Sequence, residues 1–129
     1  MSINLGEHNK AFHPKLYLAG PMRNIPYFNF PAFFAATEVL ERQGYEVFNP
    51  AQKDVDRHGD GVYKDFPTGS IPEAAAKYGF NLREALQIDT NFICLHATHI
   101  AMLPNWEKSS GATAERALAI ALGLEIIYL

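Results

Sequence analysis

Lys15-Leu16-Tyr17-Leu18-Ala19, stopped by Gly20-Pro21, is the stretch on which the fold turns. A short apolar run ended by a Gly-Pro pair reads as a buried strand followed by a turn. Working outward, Asn29 is placed to cap a helix with Pro31 in its tolerant first turn, and Phe30, Phe33, Phe34, Thr37 and Leu40 recur at helical spacing until Gly44. Tyr45-Glu46-Val47-Phe48 reads as a second strand, closed by Asn49-Pro50. Asn81 then caps a helix whose one face carries Leu82, Ala85, Leu86, Asp89, Phe92 and Ile93. His99-Ile100-Ala101-Met102-Leu103 is a third strand, broken by Pro104. Ser109-Ser110-Gly111 opens a last helix through Ala114, Leu118 and Leu122, which Gly123 ends, and Glu125-Ile126-Ile127-Tyr128 is the final strand.

From Ala51 to about Gly79 the periodicity dissolves into acidic residues, glycines and prolines, which predicts a long, mobile loop or lid. The order β-α-β-loop-α-β-α-β predicts an α/β fold over residues 1–129. It is a single doubly wound, flavodoxin- or Rossmann-like parallel sheet, in strand order 2-1-3-4, with helices on both faces and a polar arm at 1–14. Ligands of such sheets sit at the carboxyl ends of the strands where the order reverses. That rule nominates two segments, Gly20 to Asn29 and Pro104 to Glu115.

The chain has 129 residues, 48% of them hydrophobic, which suits one domain with a sizeable core. A formal net charge of −3 leaves no basic field to hold a nucleic-acid polymer. Cys94 is the only cysteine, so an internal disulfide framework and a cysteine-rich zinc site are excluded, and a reducing compartment is expected. No apolar run reaches the roughly 18 residues of a membrane span, and Met1 to His13 lacks the apolar core of a signal peptide. The expectation is a soluble, cytoplasmic protein without a membrane partner.

Asp89 breaks the apolar stripe of its helix, so its carboxylate points where an apolar side chain belongs. It is either paired with a buried donor or an acid/base lining the cleft. Glu115 falls in the first turns of the last helix among Ala112, Ala114, Ala117 and Ala119, where it either complements the helix dipole or lines a pocket. Gly20, Arg23, Ser109, Ser110 and Gly111 converge on the same cleft, and guanidinium, hydroxyls and a helix N-terminus together suit an anion. Read singly, Arg23 is a turn residue and Ser110 a cap. Asn105, Trp106 and Glu107 sit on the cleft rim, with Asn105 and Trp106 as candidates to contact a base. His58, His96 and His99 form no metal-ligand pattern, no Walker or GxGxxG motif is present, and no metal or cofactor is expected.

The chain from Lys15 onward resembles the nucleoside 2-deoxyribosyltransferase-like superfamily, including a small branch common in phage and bacterial genomes. The resemblance rests on Leu16 to Met22, Asn49-Pro50, Arg83 to Asp89, Leu103 to Trp106, and Ser109 to Glu115 with its Gly-x-x-x-Glu ending. It implies that Glu115 is the nucleophile at the anomeric carbon, that Asp89 protonates or orients the leaving base, and that Tyr17 orients the glutamate. Ser109, six residues before Glu115, is similar to the phosphate-binding serine of the 2′-deoxynucleoside 5′-monophosphate N-glycosidases, where nucleoside transferases carry an aspartate. Arg23 matches an arginine those glycosidases use for phosphate.

The expected function is therefore cleavage or transfer at the N-glycosidic bond of a nucleoside 5′-monophosphate, with a small nucleotide or nucleoside as the partner. Relatives that complete their pockets from a neighbouring subunit imply a homodimer or higher homo-oligomer, with the surface around Phe33 and Phe34 as the contact. A nucleotide-binding or sequestering protein without turnover, and an NAD-cleaving glycohydrolase, are the alternatives.

Overall fold

The computed structural model describes residues 13–129, so all of the expected polar arm but His13 and Pro14 lies outside the described residues. Four strands, β1 (Lys15–Ala19), β2 (Glu46–Phe48), β3 (His99–Met102) and β4 (Glu125–Tyr128), form one all-parallel sheet in the order β2-β1-β3-β4. β1 is central, with Tyr17 in register with Phe48 on one side and Ile100 on the other. Because successive side chains point to opposite faces, β1 serves two cores at once. Leu16 and Leu18 pack with Phe30, Phe33, Leu40 and Ala101 on one face, while Tyr17 and Ala19 pack with Ile93, Ile100, Ala112 and Ala119 on the other. Burial on both faces explains why β1 reads as a continuous apolar run.

The helices are α1 (Phe30–Arg42), α2 (Pro50–His58), α3 (Gly61–Lys64), α4 (Ile71–Tyr78), α5 (Leu82–Leu95) and α6 (Ser110–Ala121). α1 to α4 cover the first face of the sheet, and α5 and α6 cover the second. Asn81 caps α5 as expected, its side chain accepting from Glu84 N at 3.1 Å. Among the described residues no helix is long and apolar enough to cross a membrane.

Three expectations are corrected. The segment 51–79 is no loop: it holds most of α2 and all of α3 and α4. Asn49 Oδ1 accepts from Ala51 N at 2.9 Å, Pro50 sits at the start of α2, Ser70 Oγ accepts from Glu73 N, and Gly79 (φ +67°) stops α4. These prolines and glycines start and stop helices, which is a different use of the residues that break strands. Asn29 does not cap α1. It adopts φ +61°, following Tyr27 (φ +55°) and Phe28 (φ +53°) in a left-handed turn, and its Nδ2 donates to Pro21 O at 3.0 Å. Phe33 is fully buried and Phe34 half-buried in the protein's own core, so the expected contact surface around them is used internally.

Candidate active site

Tyr17 is delivered by the central strand, Glu115 by the second turn of α6, and Asp89 by the middle of α5. The Tyr17 hydroxyl donates to Glu115 Oε2 at 2.6 Å inside the protein, joining residues 98 apart in sequence. Tyr17, Asp89 and Glu115 line one cavity of about 590 Å³ at the carboxyl ends of β1 and β3, where the strand order reverses. All three are buried, with Glu115 only 7% and Asp89 9% exposed.

Burial dominates the acidities, because an ionised carboxylate or phenolate loses its water there. It pushes Glu115 up to about 8, opposed by the Tyr17 hydrogen bond and reinforced by Asp89. It pushes Asp89 up to about 7, reinforced by the charge of Asp54 and opposed by Tyr17 and Arg57. Tyr17 is held well above its ordinary value, first by burial and then by the two acidic neighbours, so it stays a hydrogen-bond donor. Near neutral pH the Asp89–Glu115 pair therefore keeps a proton, which supplies an acid beside a latent carboxylate.

The N-terminus of α6 opens on the same cavity. Ser109 caps α6, its Oγ accepting from Ala112 N at 3.1 Å, and this leaves its hydroxyl proton free to donate. The structure gives the cap to Ser109 and makes Ser110 the first residue of the helix. A Cβ at Gly111 would meet nothing nearer than Ser109 Oγ at 3.9 Å, so the room in front of it belongs to the cavity. Arg23 and Lys108 also line the cavity and bring it two cationic side chains, a set with the α6 N-terminus that suits an anion.

The loop after β1 is held in an uncommon shape, with Asn24 (φ +62°) joining Tyr27, Phe28 and Asn29 in left-handed conformations. Asn24 N donates to Gly69 O at 2.9 Å and Tyr27 N to Phe66 O at 3.1 Å, so the turn between α3 and α4 holds it. Gly69 has φ +70°, and a Cβ on it would lie 2.1 Å from Ile25 O. The residues expected to form a mobile cover thus buttress the cavity wall.

Of the candidates read from the sequence, Tyr17, Gly20, Arg23, Asp89, Asn105, Ser109, Ser110, Gly111 and Glu115 all line the cavity. Trp106 does not. Asn105 takes a left-handed conformation (φ +68°), and Trp106 instead stacks on the Arg116 guanidinium at 4.7 Å and packs near Tyr128. Sequence reasoning missed Asp54 and Lys108 in the lining, and the apolar Val62, Ile71 and Ala74 from the segment taken for a loop. The one signal for Asp54 was its position four residues after Pro50, one helical turn along.

Fold and site together define a doubly wound α/β domain with a buried carboxylate pair at its topological switch point. The family model DUF4406, a domain of unknown function, matches residues 14–128, and the chain belongs to that family. No curated protein and no solved structure matches it.

Proposed function

We propose that the protein cleaves the N-glycosidic bond of a nucleoside 5′-monophosphate, with Glu115 as nucleophile and Asp89 as acid. The observation that carries this reading is the buried Tyr17–Glu115 hydrogen bond in a cavity that Asp89 shares and that ends at the N-terminus of α6. Glu115 attacks the anomeric carbon, the C–N electron pair departs with the base, and Asp89 gives that base its proton. Water, activated by the now ionised Asp89, then displaces Glu115 from the sugar; a second base in place of water gives transfer. In the reacting form the proton kept by the pair sits on Asp89 and Glu115 is the carboxylate; positive charge developing on the sugar favours this form, and the Tyr17 donor keeps the attacking group in place.

Ser109, Arg23, Lys108 and the free N–H groups of α6 favour a monophosphate over a free nucleoside. The test is chromatographic detection of free base from a panel of ribo- and deoxynucleosides and their 5′-monophosphates, with Glu115→Ala as control. Free base from monophosphates that disappears in the variant supports the reading. Thermal stabilisation by a nucleotide with no base released from any substrate replaces it with a binding protein, and release from NAD alone replaces it with an NAD glycohydrolase.

A further inference from the structure

α2 brings to the cavity a third carboxylate that the reaction above does not use. Pro50 and Asp54 lie one helical turn apart and both line the cavity. Asp54 is 94% buried, since its exposure is 6%. Arg57 Nη2 donates to Asp54 Oδ1 at 2.6 Å, and Arg57 Nε lies 3.4 Å from Glu84 Oε1 on α5, the helix that carries Asp89. Arg57 therefore ties α2 to α5 and fixes the rotamer of Asp54. Asp54 lines the cavity, and its Oδ2 takes no hydrogen bond among the described residues and is not sealed off, which leaves that oxygen available to a ligand.

We infer that Asp54 is a specificity residue that selects bases carrying an exocyclic amine over their oxo counterparts. The inference rests on the proposed glycosidase reading, because the anion end and Asp89 then place the base, rather than the phosphate, beside α2. An ionised carboxylate only accepts hydrogen bonds, so it pairs with an amine and opposes a carbonyl oxygen at the same place. In a buried site that mismatch leaves two acceptors facing each other without water, and discrimination of this kind is far stronger than that of an apolar wall. Burial pushes Asp54 up to about 6 and the Arg57 guanidinium pulls it back, so above that pH the carboxylate is ionised, and Arg57 occupies only one of its two oxygens.

The experiment compares deoxyadenosine with deoxyinosine 5′-monophosphate, and deoxycytidine with deoxyuridine 5′-monophosphate, as kcat/KM ratios for wild type and Asp54→Asn. The amino member of each pair is expected to lead by about tenfold or more in wild type, and the lead is expected to fall below about threefold in the variant. Asparagine can still accept from Arg57 while offering either an amide donor or an acceptor to the base. Asp54→Glu keeps the charge but displaces the oxygen, and is expected to lose the lead as well; a folded Asp54→Glu that retains the full wild-type ratio contradicts the inference. No lead in wild type, or an unchanged lead in Asp54→Asn, likewise overturns it. Calorimetric affinities of the same four nucleotides for Glu115→Gln read the selection without turnover. An affinity lead for the amino forms, with no base released by the wild-type protein, upholds Asp54 while rejecting the glycosidase.

Discussion

The hydroxyl of Tyr17 lies 2.6 Å from Glu115 Oε2, so the central strand of the sheet directly grips the carboxylate of α6. The bond is buried, its donor does not ionise in the working pH range, and it opposes the upward push of burial on Glu115. Removing it with Tyr17→Phe leaves Glu115 more firmly protonated and less well oriented. Base release is expected to fall by about 100-fold, mainly in kcat, with the activity optimum moving to higher pH. Steady-state kinetics across pH 5 to 9 check both parts, and an unchanged optimum contradicts the role of the bond.

Stability is expected to run against catalysis at Glu115. Its folded-state pKa is raised to about 8, so the folded protein holds the proton more tightly than the unfolded chain does. The resulting stabilisation is complete below the ordinary carboxylate range and is lost as pH rises through about 8. Glu115→Gln keeps an oxygen to accept from Tyr17 and has no charge to bury. Its stability is expected to match wild type near pH 4 and to exceed it at pH 8 by on the order of 1–3 kcal/mol, read as a higher melting temperature. Asp89 and Asp54 still titrate, so the pH dependence is reduced rather than abolished; thermal melts in a buffer series measure the difference.

Under the proposed function Ser109 has two separable tasks, the helix cap and an anion donor. Ser109→Ala removes both the cap and the anion donor, and costs about 1 kcal/mol of stability. Ser109→Asp restores the cap but places a negative charge where the phosphate binds. The ratio of kcat/KM for a monophosphate over its nucleoside is expected to fall by about 10- to 100-fold in Ser109→Asp, with the fold intact. Arg23→Ala is expected to lower the same ratio without affecting nucleoside cleavage.

Gly69 holds the cavity wall from a distance. Gly69→Ala forces a Cβ against Ile25 O at a positive φ, so the pinned loop from Gly20 to Asn29 must shift. A loss of about 2 kcal/mol or more in denaturant unfolding is expected, together with a raised KM, although Gly69 lies outside the cavity lining.

Much of the architecture was legible in the chain because the strands are bounded by their own stop signals. Lys15 to Ala19 ends at Gly20-Pro21 and His99 to Met102 ends before Pro104, and right-handed crossovers then leave few strand orders. Asp89 and Glu115 were legible because each is a carboxylate among apolar or small neighbours. α2 was not, because its buried face consists of Pro50, Ala51 and Asp54, which carries no apolar period. Asp54 was hidden with it, and so was the charge it sets near Asp89. Trp106 misled for a different reason: its place beside the cleft in sequence does not show that the left-handed Asn105 turns it toward Arg116.

The central claim is that Glu115 bonds covalently to the sugar. A 2′-fluoro-arabinonucleoside 5′-monophosphate slows breakdown of a glycosyl ester, because fluorine disfavours the positive charge in its transition state. Incubation with this compound, acid quenching and peptide mass spectrometry should find the sugar phosphate on the peptide containing Glu115, and no adduct on Glu115→Gln. Steady release of base with Glu115 unmodified, or undiminished release by Glu115→Gln, would contradict the account.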